Sequence, residues 1–318
     1  MDNVNQTQVT MFVFSGLTND TKLALLLFAF FLLIYIITVV GNVGIMVIIH
    51  KTPALHTPMY YFLSYLSMVD LFYSSSVTPK MIIDLISIEK VITFNDCALQ
   101  FLIFSTLAGT EVVLLSNMSY DRYAAICHPL HYGFIMTKKK CSYLVVLAFF
   151  LGILQSAAQT ICVFSLNYCG SNFINHFYCD ILPVLTLSCS KTFSCDMVTV
   201  FLIGSYSVGS LTTIVISYIY ILVSILRMKS AKGRQKAFST CSSHLICSSI
   251  FYVSVLLTYV RPHSGTFKEE DKVVSILYSV ITPMVNPLIY SLRNQDVKKV
   301  IVREMYSFSH WKLRLMKD

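Results

Sequence analysis

Two carboxylates stand where a carboxylate is most costly. Asp70 and Glu111 each lie deep inside a long apolar run, and an ionisable group in such surroundings is kept for a function or a partner. Asp70 lies 12 residues past Pro58, and Glu111 lies 11 residues before Arg122. At 1.5 Å per helical residue, both sit about 16–18 Å above the same edge. No Lys or Arg within these runs shares that depth. Such a pair must share a proton or enclose a cation. Asn42, Ser116 and Asn286 could add the neutral oxygens that a hard ion such as Na+ prefers. The alternative is one protonated carboxyl hydrogen-bonded among its neighbours.

A second constellation, Asp121-Arg122-Tyr123, ends the run that holds Glu111. Asp121 can pair with Arg122, although taken alone that pair is also an ordinary interfacial salt bridge. Counting back from Arg122 at about 3.6 residues per turn puts Met118, Leu115, Glu111, Ala108 and Phe104 on one stripe. The stripe must face the interior, because Glu111 cannot face lipid. Ser105 and Gly109 beside it either open a cavity or let helices pack closely. Later runs offer Ile203, Tyr206 and Ser207, then Tyr252, Val255, Leu256 and Tyr259, then Ile276 and Ser279. Apolar walls with a few hydroxyls suit a small, largely hydrophobic, uncharged ligand. They also suit plain bundle core.

The elements that must carry these residues follow from composition. Of 318 residues, 55% are hydrophobic and 13% charged, against about 25% charged in a soluble domain. That excludes a cytosolic enzyme and a disordered chain. A bilayer core needs roughly 20 apolar residues per helix, and seven stretches qualify: 23–49, 58–84, 97–121, 142–164, 197–226, 238–260 and 273–292. The expected fold is an all-α membrane protein, a seven-transmembrane helix bundle forming one domain over 23–292. Residues 1–22 form a tail, 165–196 a long loop, and 293–318 a second tail, with Gln295 to Phe308 either a surface amphipathic helix or disordered.

Seventeen of the 24 basic residues fall on the side of Lys138–Lys140, Arg227–Lys236 and the C-terminal tail. That excess faces the cytoplasm, so the N-terminus is outside. The net charge of +8 is therefore a topology signal and implies no nucleic-acid partner; the partner it implies is the lipid bilayer. The five basic residues among the ten from Arg227 to Lys236 guide insertion, with or without a cytoplasmic partner. Residues 1–22 lack the basic start and short apolar core of a cleavable signal, so the first span is expected to direct insertion. Asn5 and Asn19 begin glycosylation sequons in the outer tail. Asn117 begins a third, expected to be inert inside a span. No phosphate-binding glycine loop, Gly-x-Ser-x-Gly elbow or Cys-x-x-Cys motif occurs, so no enzyme is expected.

The segment Met118-Ser-Tyr-Asp-Arg-Tyr-Ala-Ala-Ile-Cys-His-Pro-Leu-His-Tyr132 resembles the signature of olfactory receptors, a branch of the rhodopsin-like G-protein-coupled receptors. Gly41-Asn42, Leu55-His-Thr-Pro-Met-Tyr-Tyr-Phe-Leu63, Lys236-Ala-Phe-Ser-Thr-Cys-Ser-Ser-His-Leu245 and Pro283-Met-Val-Asn-Pro-Leu-Ile-Tyr-Ser-Leu-Arg-Asn294 agree in the same order, and Ser217-Tyr218 fits the fifth span. Ser119, Ala124 and Tyr61 depart slightly, and Tyr252 stands where most rhodopsin-like receptors carry Trp, itself an olfactory trait.

The resemblance implies an odorant ligand, a stimulatory G protein that raises cyclic AMP, and residence in the plasma membrane of olfactory sensory neuron cilia. It assigns activation to Asp121, Arg122, Tyr123, Tyr218, His244, Asn286, Pro287 and Tyr290. Arg122, once released, would meet Tyr218, Tyr290 or the G protein, while Pro287 permits a bend. The resemblance also pairs Cys97 with Cys179 and Cys169 with Cys189, leaving Cys162 and Cys195 unassigned and Cys127, Cys141, Cys241 and Cys247 as thiols. A soft-metal site at His176-Phe-Tyr-Cys179-Asp180 would need Cys179 free. An amine ligand is disfavoured because Phe104 stands where a carboxylate would be needed. No resident cofactor is expected beyond the possible Na+.

Overall fold

The computed structural model describes residues 9–259 and 269–293, with Val297, Lys298 and Val300. Seven long helices form a bundle: α1 Thr21–Lys51, α2 Pro58–Ile86, α3 Phe94–Cys127, α4 Lys138–Phe164, α5 Phe193–Arg227, α6 Ala231–Tyr259 and α7. α7 runs in three consecutive pieces, Glu269–Ile276, a π-helical turn Leu277–Ile281, and Thr282–Arg293. Among the described residues, five helices are long and apolar enough to cross a membrane, and α6 holds a shorter apolar stretch, Cys241–Leu257. α2 carries Asp70, Lys80 and Asp84, yet its 29 residues span about 43 Å at the helical rise. The connection expected over 227–236 shrinks to 228–230, because α6 begins at Ala231. Most of the tail from Gln295 to Phe308, and Asn5, lie outside the described residues.

Local chemistry sets the helix starts. Asp20 caps α1 by accepting from the N–H of Lys22 at 2.8 Å and of Leu23 at 3.2 Å. Thr93 caps α3 by accepting from Asp96 N–H at 3.1 Å, and Pro58 opens α2, where a missing N–H costs nothing. Pro287 sits inside α7 and leaves the carbonyl of Pro283 without its helical donor. Asn42 of α1 supplies one, its Nδ2 reaching Pro283 O at 3.0 Å. A Cβ on Gly41 would meet the Pro287 ring at 3.2 Å, so Gly41-Asn42 forms the seat for the proline of α7.

The outer tail is not a free arm. Met11–Phe14 (β1) is the middle strand of a three-stranded sheet, antiparallel to Val91–Thr93 (β2) and parallel to Phe173–Ile174 (β3). Its alternation buries Phe12 and Phe14 in an outer core with Ile92, Phe101, Tyr168 and Ile174. Gly16, at φ 68°, turns the chain from β1 toward α1. Asn19 is exposed just before α1. The main core fills the bundle below, while α1 presents Leu25, Leu26, Leu33, Ile36 and Val40 outward, as a lipid-facing helix must.

Candidate functional site

A cavity of about 70 Å3 lies in the outer half of the bundle. α3 supplies Phe101, Phe104, Ser105, Ala108, Gly109 and Val112; α4 supplies Gln155 and Gln159; α5 supplies Ile203, Tyr206 and Ser207. Tyr73, Phe251, Val255 and Tyr278 complete the walls, with Asp180 and Ile181 descending from the long loop. Phe104 is the aromatic centre, stacked on Tyr73 at 4.7 Å and tilted against Tyr178 at 5.0 Å.

The roof is the loop. Cys97–Cys179 ties it to α3, and Cys179 N–H donates to Gln100 Oε1 at 3.0 Å. Asp180 Oδ2 accepts from the hydroxyls of Tyr178 at 2.9 Å and Tyr278 at 2.8 Å, and its Oδ1 accepts from Ile181 N–H at 2.8 Å. His176 lies over the roof, stacked on Phe177 and sharing a hydrogen bond of 3.1 Å between Nε2 and Ser275 Oγ. Burial, with Lys272 nearby, pushes its pKa down to about 3, so the imidazole is neutral at pH 7. The floor is a hydrogen-bond chain: Tyr252 donates to Ser210, which donates to Val112 O at 2.8 Å.

Eight residues named from sequence line the cavity: Phe104, Ser105, Ala108, Gly109, Ile203, Tyr206, Ser207 and Val255. Gly109 also serves packing, since a Cβ there would meet Gly152 Cα at 3.2 Å. Others stand elsewhere. Tyr252 belongs to the floor, and Leu256 is 44% exposed on the outside of α6, where Phe251 and Val255 face inward instead. That helix is rotated by about one residue, or 100°, from the phase expected. The side chain of Tyr259 lies outside the described residues. Ser279 is buried and donates to Ser275 O at 2.7 Å, and Ile276 packs against the core. The π turn inserts an extra residue into α7, which brings Tyr278 to the cavity in their place. Asp180 brings a carboxylate to the cavity from the loop, whereas on α3 Phe104 stands at the wall. Gln155 and Gln159 were legible: they are polar residues inside an apolar run, the same signal that marks Asp70 and Glu111.

Midway down, Asp70 and Glu111 are fully buried and face one another through Asn286. Its Nδ2 lies 3.2 and 3.1 Å from the two Asp70 oxygens and 3.4 Å from Glu111 Oε1. Asn286 thus presents its N–H2 to the pair, where an oxygen was expected. Glu111 Oε2 and Asn42 Oδ1 have no partner among the described residues. Ser116 stands apart, donating to Val113 O at 2.9 Å.

At the inner end, Arg122 Nε donates to Asp121 Oδ2 at 3.0 Å, with Nη2 on the same oxygen, and Tyr132 donates to Oδ1 at 2.7 Å. Burial and the adjacent carboxylate raise the Tyr132 pKa, keeping it a donor. Tyr218 bonds His244 Nδ1 at 2.8 Å, and His244 Nε2 meets Leu115 O at 3.1 Å, so one imidazole joins α3, α5 and α6. Tyr123 pairs with His128 at 3.0 Å. Tyr290 is buried, with its hydroxyl near the Cys247 thiol. Three disulfides close the outer end: Cys97–Cys179, Cys169–Cys189 and Cys162–Cys195. The third assigns the two cysteines left over from sequence. No cluster of three metal-binding side chains occurs among the described residues.

Known proteins agree with this arrangement. A family model described as "Olfactory receptor" matches residues 31–307. Olfactory receptor 5AP2 of Mus musculus is 50% identical over 309 residues, covering 97% of this chain and 97% of the relative. Olfactory receptor 5AR1 is 48% identical in Mus musculus and 47% in Homo sapiens, each over 94% of this chain and 96% of the relative. The crystal structure of squid rhodopsin shares the fold with a TM-score of 0.70 at 18% identity, over 89% of this chain and 81% of that one. These relatives are multi-pass signalling receptors, not enzymes, and the chain belongs to the olfactory receptor family.

Proposed function

We propose that this receptor binds small, largely hydrophobic, uncharged odorants in the outer cavity and activates a stimulatory, olfactory-type G protein that raises cyclic AMP. It would act in the plasma membrane of olfactory sensory neuron cilia. The observation that carries the reading is the cavity around Phe104, roofed by a disulfide-tied loop and built on the same α3 that ends in Asp121-Arg122. A ligand there pushes on α3, α5, α6 and α7 at once. At about 70 Å3 the cavity is well below the roughly 300–1,000 Å3 of drug-sized sites, so it suits a ligand of few heavy atoms or widens on binding. Asp180 does not argue for an amine, because Tyr178, Tyr278 and Ile181 N–H already occupy its two oxygens.

The buried carboxylate pair is the proposed place for Na+, held by Asp70, Glu111 and the oxygen of Asn42, with the bridging amide of Asn286 beside it. A shared proton is the alternative, because two carboxylates buried together cannot both stay charged without a cation. The test is a cyclic-AMP screen of a chemically diverse odorant panel, run with and without Na+. Arg122→Ala is expected to abolish the response; responses equal to the parent receptor would overturn the coupling. Glu111→Gln is expected to remove any Na+ dependence, and an unchanged dependence would leave the pair to a proton.

A further inference from the structure

Two polar atoms in the α4 wall of the cavity face no protein partner. Gln155 and Gln159 lie one turn apart, are 8% and 2% exposed, and both line the cavity. Among the described residues, Gln155 Oε1 and Gln159 Nε2 have nothing to bond. Two tyrosine hydroxyls at the wall are engaged: that of Tyr206 donates to Leu151 O at 3.1 Å, and that of Tyr278 to Asp180 at 2.8 Å. A buried amide atom without a partner is costly, so such a pair marks a place that water or a ligand completes. Gly109 keeps the place open. A Cβ at that position would stand 3.0 Å from Gln155 Oε1, and the bare Cα leaves the oxygen free of a side chain.

The two orphans are complementary. Gln155 Oε1 needs a donor, and Gln159 Nε2 needs an acceptor. A hydroxyl is both at a single atom. Ketones, ethers and esters only accept, and an ammonium only donates. We infer that the cavity selects small alcohols, whose hydroxyl bridges Gln155 and Gln159 while the carbon chain lies against Phe104, Ile203 and Val255. The inference rests on the outer cavity being the odorant site and names the ligand class that this site takes. A water molecule bridging the same two atoms would satisfy them equally and would give no preference among ligands.

The experiment compares primary alcohols of four to seven carbons with methyl ketones, methyl ethers and primary amines of equal heavy-atom count. The readout is the concentration for half-maximal cyclic AMP in cells displaying the full-length receptor. Alcohols are expected to act at concentrations at least tenfold below the ketones and ethers, with amines weaker still. Gln155→Leu is expected to raise the alcohol value about tenfold and leave the ketone value unchanged, because only an alcohol uses Oε1. Gln159→Leu is expected to raise both. Surface labelling normalises the variants; should either fail to reach the surface, the ranking on the parent receptor decides alone. Alcohols no better than ketones, or a variant that shifts neither class, would overturn the inference. If alcohols are silent while another class activates through Arg122, the inference falls and the receptor reading stands. If a surface-displayed receptor answers no odorant at all, both fall.

Discussion

The two ends of the bundle are held by different kinds of bond. The outer end carries all three disulfides, a three-stranded sheet and the roof of His176, Tyr178 and Asp180. The inner end is held by separate side-chain contacts, Asp121 with Arg122 and Tyr132, and His244 with Tyr218 and Leu115, and its cysteines are free thiols. Compartment chemistry permits this division, since disulfides persist only on the oxidising side. The mechanical consequence is a roof and outer ends of α3, α4 and α5 that are covalently tied, joined by continuous helices to an inner end whose contacts exchange one at a time. Each such contact is worth about 0.5–1.5 kcal/mol, or 1.5–3 where a charge takes part. A switch needs that asymmetry: a rigid detector and a bistable reporter.

The most forceful way to break the comparison is to cut an outer staple and an inner thiol in parallel. Cys97→Ser opens Cys97–Cys179, and loss of a native disulfide costs about 2–5 kcal/mol. We expect surface display to collapse. Cys127→Ser, at an inner cysteine already hydrogen-bonded to Ser224 Oγ at 3.1 Å, is expected to cost under about 1 kcal/mol. Flow cytometry of tagged receptor and thermal inactivation in detergent measure both; equal losses would mean that the outer end is no more dependent on its staples than the inner end on its thiols.

Acid probes the roof without touching a disulfide. His176 is held neutral with a pKa of about 3, against about 6.5 in an unfolded chain. Below pH 6.5 the unfolded chain takes up a proton that the folded one refuses. The stability it contributes is therefore complete above pH 6.5 and lost as pH falls toward 3. At pH 5 the loss is about 2 kcal/mol. The drop in Tm between pH 7 and pH 5 is expected to be smaller in His176→Gln than in the parent receptor. Identical drops would mean that His176 is not what makes the roof acid-sensitive.

Much of this division could be read before any coordinates. The charge asymmetry of the loops follows from the cytoplasmic bias of basic residues, and seven apolar runs and the depths of Asp70 and Glu111 follow from the cost of polar groups in lipid, each read within one helix. The α3 wall was legible for the same reason, because Glu111 fixes which face points inward. α6 and α7 were not, because their phase depends on events that periodicity cannot register. The π turn at Leu277–Ile281 moves Tyr278 into the place expected of Ser279, and Tyr252 turns to Ser210. The roof was hidden for another reason. Asp180 and Ile181 reach the cavity only because Cys179 is bonded 82 residues back along the chain, to Cys97, and long-range closure leaves no local pattern. Gln155 and Gln159 were visible as polar residues in an apolar helix, but nothing in the sequence says that their outward atoms lack partners.

The smallest effect sharpens the comparison best, because it makes the same chemical change at both ends. Tyr132 and Tyr278 each donate a phenol hydrogen bond to a buried carboxylate, at 2.7 Å to Asp121 and 2.8 Å to Asp180. In both cases the carboxylate keeps other partners, so a Tyr→Phe change is expected to cost only about 1 kcal/mol, the lower part of the range for one hydrogen bond. At the inner end that energy supports the pose in which Asp121 holds Arg122. Tyr132→Phe should therefore raise basal cyclic AMP about fivefold and leave odorant potency nearly unchanged. At the outer end the same loss loosens the roof without touching Arg122, so Tyr278→Phe should leave basal cyclic AMP alone and shift the half-maximal odorant concentration by a few-fold. Basal activity rising equally in both variants would show that the roof, too, holds the receptor off, and that the two ends share one set of restraining contacts.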